Sequence, residues 1–278
     1  MLTDRVFKAR DGLALSRLRG LEIGALDRPM VTRADGPIIY VDHVNTAGLV
    51  AKYGADPGVD TAAIVDVDAV WAGGRLHDAL GGRAPVDYAI ASHVVEHVPD
   101  LVGWVAQLHE VIRPDGELRL IVPDRRYTFD RARRETSLAD VLAAHVTKPM
   151  RPGAQAILDY ALNIAFVDIV EAWDGTYDDA QPKLRHTAAE ALAWAVDATE
   201  NGTYRDVHCW VFTPRGFLAL FGELAALGLM PFACAAFADT EHYQFDFYVR
   251  LTPCADAAVA AASWAAMGRQ MDEVSPGV

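Results

Sequence analysis

From residue 20 the chain alternates short apolar runs with polar turns. Gly20 to Ile23, Ile38 to Val41, Ala63 to Val67, Val86 to Ala91 and Glu117 to Val122 each have the length and composition of a buried strand. Helical patterns fall between them. Asn45 is a good N-cap for a helix ending at Tyr53, with Gly54 as its stop. A short helix is predicted around Leu76 to Leu80. Leu101, Trp104, Val105, Leu108, Val111 and Ile112 recur at helical spacing, and Arg113-Pro114-Asp115-Gly116 ends that helix as a turn. Residues 3–19 carry Val6, Leu13, Leu15 and Leu18 among charges, which suits a short helix on the sheet edge. Asp27 to Pro37 is too short, and too rich in Pro and Gly, for a crossover helix. The alternation predicts an α/β fold with a doubly wound parallel sheet.

After Pro123 the alternation stops. Helical stretches follow near 138–146, 154–173 and 188–199, the last opened by Thr187 and Glu190 at capping-box spacing. Thr213-Pro214 then starts a helix running to Leu227. Two strands close the pattern, Phe232 to Ala238 and Gln244 to Leu251. The Ala-rich tail after Pro253 reads as one helix, with disorder from about Ser275. The expected organisation is a core of 1–123 and 213–252, a mostly helical insertion of 124–212 over the carboxyl edge of the sheet, and a terminal helix and tail, 253–278. The chain shows no internal repeat.

A length of 278 residues with 52% hydrophobic positions supports a substantial core. The net charge of −13 argues against nucleic acid and against an anionic membrane as partners. Met1 to Arg10 lacks an apolar signal core, and Ala257 to Met267 is too short to span a bilayer. Cys209, Cys234 and Cys254 show no paired metal spacing, so a reducing, cytoplasmic compartment is expected.

The chemistry concentrates at strand ends. In Leu21-Glu22-Ile23-Gly24-Ala25-Leu26-Asp27 an apolar run meets an acid and a glycine, then turns; the next run ends in Asp42. A glycine lets the backbone approach a ligand, and an acid after strand two reaches ribose hydroxyls. Further on, Ser92-His93-Val94-Val95-Glu96-His97-Val98-Pro99-Asp100 leaves strand four. Together these stretches resemble the class I S-adenosylmethionine (SAM) dependent methyltransferases of the small-molecule type, over roughly 20–123 and 213–251. Leu26 and Arg28 stand where that family has further small residues.

The resemblance implies a Rossmann-like seven-stranded methyltransferase sheet, with an antiparallel pair at one edge and a mostly helical insertion after strand five. It implies SAM as cofactor. Gly24 and Ala25 would approach its amino-acid part, with Glu22 below, and Asp42 would hold the ribose. His43 would flank the adenosine, and Asp68 with the Ala69 N–H would meet the adenine. Asp66 competes with Asp68; Asp68 is favoured because it is expected to begin the loop after strand three. Ser92 and His93 would border the donor at the end of strand four.

Methyl transfer from a sulfonium needs an aligned nucleophile and, for many acceptors, a base. Histidine is the natural base near neutral pH. His93 and His208 are the catalytic candidates; His97, His145 and His186 read as surface or core residues. Arg125 and Arg126 could fork an anionic acceptor group, and Tyr127 and Phe129 could line its pocket. The competing reading of that basic run is an ion-paired face with Asp130 and Glu135.

The string His93-Val94-Val95-Glu96-His97 also matches a zinc-peptidase pattern, which must lie on a helix. His93 is expected on the strand end, so no catalytic metal is expected. A non-catalytic ion on His93, Glu96 or His97 remains a lesser alternative to a purely shaping role. The expected reaction is methylation of oxygen or nitrogen on a sugar, phenolic or amine metabolite, in a chain that can form a homodimer. The rivals are an NAD-dependent oxidoreductase, which wants glycines that Ala25 and Leu26 do not supply, and a non-catalytic SAM-binding or scaffold protein.

Overall fold

The computed structural model describes residues 2–274; the disorder expected from Ser275 lies outside them. The strands are β1 (Gly20–Ile23), β2 (Ile38–Asp42), β3 (Ala69–Val70), β4 (Val86–Ser92), β5 (Ile112–Pro123), β6 (Phe232–Ala238) and β7 (Asp246–Pro253). They form one seven-stranded sheet in the order β3-β2-β1-β4-β5-β7-β6. Strands β1 to β5 run parallel, and β7 is antiparallel to both β5 and β6. This is the class I methyltransferase sheet that the resemblance implied.

Strand residues sort by parity into two cores, as a pleat with period two requires. Leu21, Ile23, Ile39, Val41, Ala89, Ala91, Leu118, Leu120 and Val122 face one way. Against them pack the helices α4 (Leu101–Val111), α9 (Pro214–Ala226) and α10 (Ala257–Val274). Each fully buried Leu or Phe there contributes roughly 1.5–3 kcal/mol. Ile38, Tyr40, Tyr88, Ile90 and Ile121 face the other way. Helix α1 (Leu2–Arg10) and the β1–β2 loop cover that side, bringing Ala9, Met30 and Val31. Arg119, buried on this face, donates to the Ala9 carbonyl at 3.1 Å and so satisfies one of the open carbonyls ending α1.

The β1–β2 loop contains no helix, as its length predicted. Hydrogen bonds hold it instead: the Tyr40 hydroxyl donates to the Val31 carbonyl at 2.8 Å, and Arg10 pairs with Asp35 at 3.0 Å. Helix α2 (Thr46–Tyr53) has the expected cap, Asn45 accepting from the Gly48 N–H. Helix α3 (Leu76–Ala79) follows β3. Between β5 and α9 lie α5 (Leu138–Thr147), α6 (Ala154–Asn163), α7 (Ile169–Trp173) and α8 (Ala188–Glu200).

Three expectations need correction. Strand three is Ala69–Val70, not Ala63 to Val67. The Val65 N–H goes to the Leu26 carbonyl and the Val67 N–H to the Thr46 hydroxyl, so the apolar run is tied to loop and helix rather than to a ladder. The turn at Arg113-Pro114-Asp115-Gly116 lies within β5 as an irregularity, since Val86 pairs with Ile112 and Tyr88 with Glu117. The single helix expected over 154–173 is broken between α6 and α7, where Ala165 bridges to Leu184 and Asp168 caps α7.

Candidate active site

The carboxyl ends of β1, β2 and β4 converge, and the expected residues Gly24, Asp42, Ser92 and His93 lie there. Gly24 adopts φ +68°, and a Cβ at this position would stand 2.8 Å from a Val94 methyl. Both conditions demand glycine. Leu26 follows with φ +48°, a left-handed conformation that costs a branched side chain roughly 1–2 kcal/mol. Ala25 is buried.

Glu22 lies one residue below the edge, on the face opposite Leu21, and is 1% exposed. Its two oxygens accept from the Met30 N–H at 2.6 Å and the Val31 N–H at 3.0 Å. Glu22 therefore shapes the loop after β1. Burial pushes its carboxyl up to about 7, against the downward pull of those two N–H groups and Arg10. A folded-state pKa above the ordinary one means the native protein holds this proton longer than the unfolded chain. Stability should then fall as pH rises from about 4.5 to about 7, by on the order of 2–3 kcal/mol from this group. Thermal melts between pH 5 and 8 should show that slope in the wild type and a flattened one in Glu22→Gln; equal slopes would reject it.

Asp42 ends β2. One of its oxygens accepts from the His43 N–H at 2.7 Å and faces the His43 Nδ1 at 2.6 Å. Among the described residues, no side chain or backbone group bonds the other oxygen. The His43 ring lies under Tyr204, centroids 6.0 Å apart, and its Nε2 is 3.3 Å from Lys52 Nζ. Lys52 in turn pairs with Asp206 at 2.7 Å, so the segment before α9 reaches down to the tip of β2.

Asp68 does not belong to this edge. It precedes β3, its N–H donates to the Tyr40 carbonyl, and its carboxylate accepts from the Tyr40 N–H at 2.8 Å and from Arg33 at 2.9 Å. Asp42 pairs with Val70 and Ala69 with Val41, so Ala69 also sits inside the ladder. The residue beside Asp42 at the edge is Trp71, whose N–H donates to the Asp42 carbonyl at 2.8 Å. Sequence reasoning missed Trp71 because it placed the strand too early. The break after Val70, Trp71-Ala72-Gly73-Gly74, was the available signal.

His93 leaves β4 with φ +54°, a left-handed conformation uncommon for a non-glycine residue. Its Nε2 lies 3.2 Å from Asp246, which also pairs with Arg5. Burial works to raise the Asp246 carboxyl, but the His93 hydrogen bond and the Arg5 charge hold it below its usual range. Glu96 and His97 follow in a turn rather than a helix, so the peptidase geometry is excluded. His208 is brought to the same place from the segment before α9: its ring meets His97 edge-on at 4.6 Å and Phe129 at 4.8 Å. Its Nδ1 lies 2.5 Å from buried Asp130.

The basic run after β5 is largely neutralised, as in the competing reading, but not by the acids named there: of Asp130 and Glu135 only Asp130 pairs with an arginine, Glu135 accepting from Thr213 instead. Arg126 forks onto Asp124, with contacts of 2.9 and 2.6 Å. Arg131 forks onto Asp179, Arg133 onto Asp159 and Asp130, and Arg134 onto Asp140. Arg126 is thus not an open anion fork. Arg125 differs, donating to the Arg131 carbonyl at 2.8 Å with no acid partner among the described residues. Tyr127 stacks on Trp173 at 3.9 Å, and Phe129 walls His208. Two cavities lie off this edge, one of about 520 Å³ between α9 and α10 and one of about 430 Å³ between α5, α6 and residues 209–211. Neither touches the strand ends, where the converging polar groups sit. Among the described residues no helix is long and apolar enough to cross a membrane.

No family model matches the chain, and no curated protein matches it. Among solved structures it is similar to the CurJ carbon methyltransferase, at 13% identity over 91% of this chain and 54% of that one, with a TM-score of 0.42. The chain thus spans about half the length of that protein. It is similar to an S-adenosylmethionine dependent methyltransferase from Mesorhizobium loti, at 13% identity over 91% and 100% of the two chains, TM-score 0.42. It is also similar to a protein described as a putative zinc-dependent alcohol dehydrogenase from Rhodobacter sphaeroides, at 11% identity over 90% and 89%, TM-score 0.47. Most such neighbours are methyltransferases by name. These likenesses carry no argument about chemistry, which rests on the site itself.

Proposed function

We propose that this chain is a SAM-dependent methyltransferase acting at an oxygen or nitrogen of a small molecule. The observation that carries it is the single edge at which Gly24, the open oxygen of Asp42, and His93 meet on a sheet of this strand order. The donor fits there: the backbone at Gly24 has no Cβ to bar approach, and Asp42 can accept from both ribose hydroxyls. Trp71 and the backbone after β3 take the adenine side, in place of Asp68. Ser92 and His93 border the sulfonium end, and when bound the donor supplies an electrophilic methyl group. The chain's own task is to align the acceptor and accept its proton. His93, oriented by Asp246, and His208, oriented by Asp130, are the bases the geometry offers. Phe129 and Arg125 belong to the acceptor side, under a lid formed by 124–212.

An oxidoreductase reading is weaker because Leu26 and Pro29 occupy the places of the second and third glycines of the Gly-x-Gly-x-x-Gly that a dinucleotide pyrophosphate requires. Titration calorimetry with SAM and S-adenosylhomocysteine is the test. One equivalent bound at micromolar ligand is expected, and no heat at millimolar ligand refutes the proposal.

A further inference from the structure

Glu96 is 0% exposed, yet neither of its carboxylate oxygens has a hydrogen-bond partner. An ionised carboxylate in that state costs several kcal/mol unless something neutralises it. Its backbone is fixed: the Glu96 carbonyl accepts from the Cys209 and Trp210 N–H groups at 2.7 and 3.1 Å, which locks it against the segment carrying His208. One donor atom from each of Glu96, His97 and His208 lies within 4.8 Å of the other two.

An acid stands beside each imidazole. His208 Nδ1 is hydrogen-bonded to Asp130 at 2.5 Å, whereas His97 Nδ1 lies 2.9 Å from Asp206 outside hydrogen-bond geometry. The Asp130 carboxylate fixes the proton on His208 Nδ1 and leaves its Nε2 as a lone-pair donor, the arrangement found behind metal-bound histidines. The outer acids are already balanced, Asp206 by Lys52 and Asp130 by Arg133. Glu96 has no such partner: His208 Nε2 stands 4.0 Å from it, too far for a hydrogen bond. His93 does not serve either, since its Nδ1 stands 3.6 Å from Glu96, beyond hydrogen-bond range, and its Nε2 faces Asp246.

We infer that Glu96, His97 and His208 bind one divalent transition-metal ion of the zinc type, an assignment that takes His208 out of the role of base and leaves His93 in it. Two imidazoles and one carboxylate suit Zn²⁺ and its neighbours rather than Mg²⁺ or Ca²⁺, which prefer all-oxygen sets. Ligand atoms around a tetrahedral zinc stand about 3.3 Å apart, so the three groups close by small side-chain shifts. The inference does not depend on SAM binding.

The test uses the full-length protein stripped with EDTA and titrated with ZnCl₂ against a competing fluorescent chelator. The wild type should take one equivalent in the micromolar range or tighter, undisturbed by millimolar Mg²⁺, and its melting temperature should rise with Zn²⁺. Glu96→Gln, nearly isosteric, and His97→Ala should each weaken binding at least about tenfold and lose the thermal shift, while circular dichroism shows them folded. Two results overturn the inference: no equivalent bound by the wild type below about 100 μM, or folded variants that bind as the wild type does.

Discussion

Replacing Arg133 by alanine is expected to destabilise the protein by about 3–5 kcal/mol, the loss typical when one partner of a buried ion pair is removed. The guanidinium is almost wholly enclosed. It donates to Asp130 at 2.8 Å, to Asp159 at 2.7 and 3.0 Å, and to the His208 carbonyl at 2.9 Å, with Tyr160 beneath it. Without it, Asp130 keeps only His208. Burial tends to raise the Asp130 carboxyl, but the His208 and Arg133 charges and hydrogen bonds hold it below its ordinary value. A depressed folded-state pKa stabilises above the unfolded pKa, near 3.8, and that contribution is lost as pH falls through the folded value. The deficit of Arg133→Ala should therefore be full at pH 7 and narrow toward pH 3. Urea denaturation at the two pH values measures it. A loss below about 1 kcal/mol at pH 7 would show that the network does not hold the insertion to the core. Arg133→Lys, which keeps charge but not the fork, should recover only part.

Asp42→Ala is expected to weaken S-adenosylhomocysteine binding by about 10- to 100-fold, the effect of removing hydrogen bonds to a charged acceptor worth about 1.5–3 kcal/mol. One oxygen of Asp42 already orients His43, so only the other is available to a ribose. Asp68→Asn is the control. Its carboxylate serves Arg33 and the Tyr40 N–H before β3, so its affinity should stay within about twofold of wild type. Calorimetry on both variants decides. Full affinity in Asp42→Ala, or a loss confined to Asp68→Asn, would move the donor away from the β2 tip.

How far the sequence could be read depended on the range of the forces involved. The cap at Asn45, the capping box of Thr187 and Glu190, and the proline start of α9 were all foreseeable. Each joins residues a few positions apart. Strand β3 was not foreseeable. Only two residues pair, and the partners that divert Ala63 to Val67 from the sheet, Leu26 and Thr46, lie in other elements. The basic run misled for the same reason. Asp179 lies 48 residues from Arg131, and Asp159 lies 26 residues from Arg133.

By itself the sequence determined the strands of the sheet other than β3, because apolar periodicity and turn residues act locally. It also determined that Gly24, Asp42 and His93 reach one edge, since each directly follows or ends a strand. Tertiary structure alone decided which polar groups stay open there. It closed Asp68 and Arg126 with partners, left one oxygen of Asp42 unbonded, and set Glu96, His97 and His208 face to face. A side chain's charge is written in the chain, but its neutralisation depends on which distant group the fold places within about 3 Å of it.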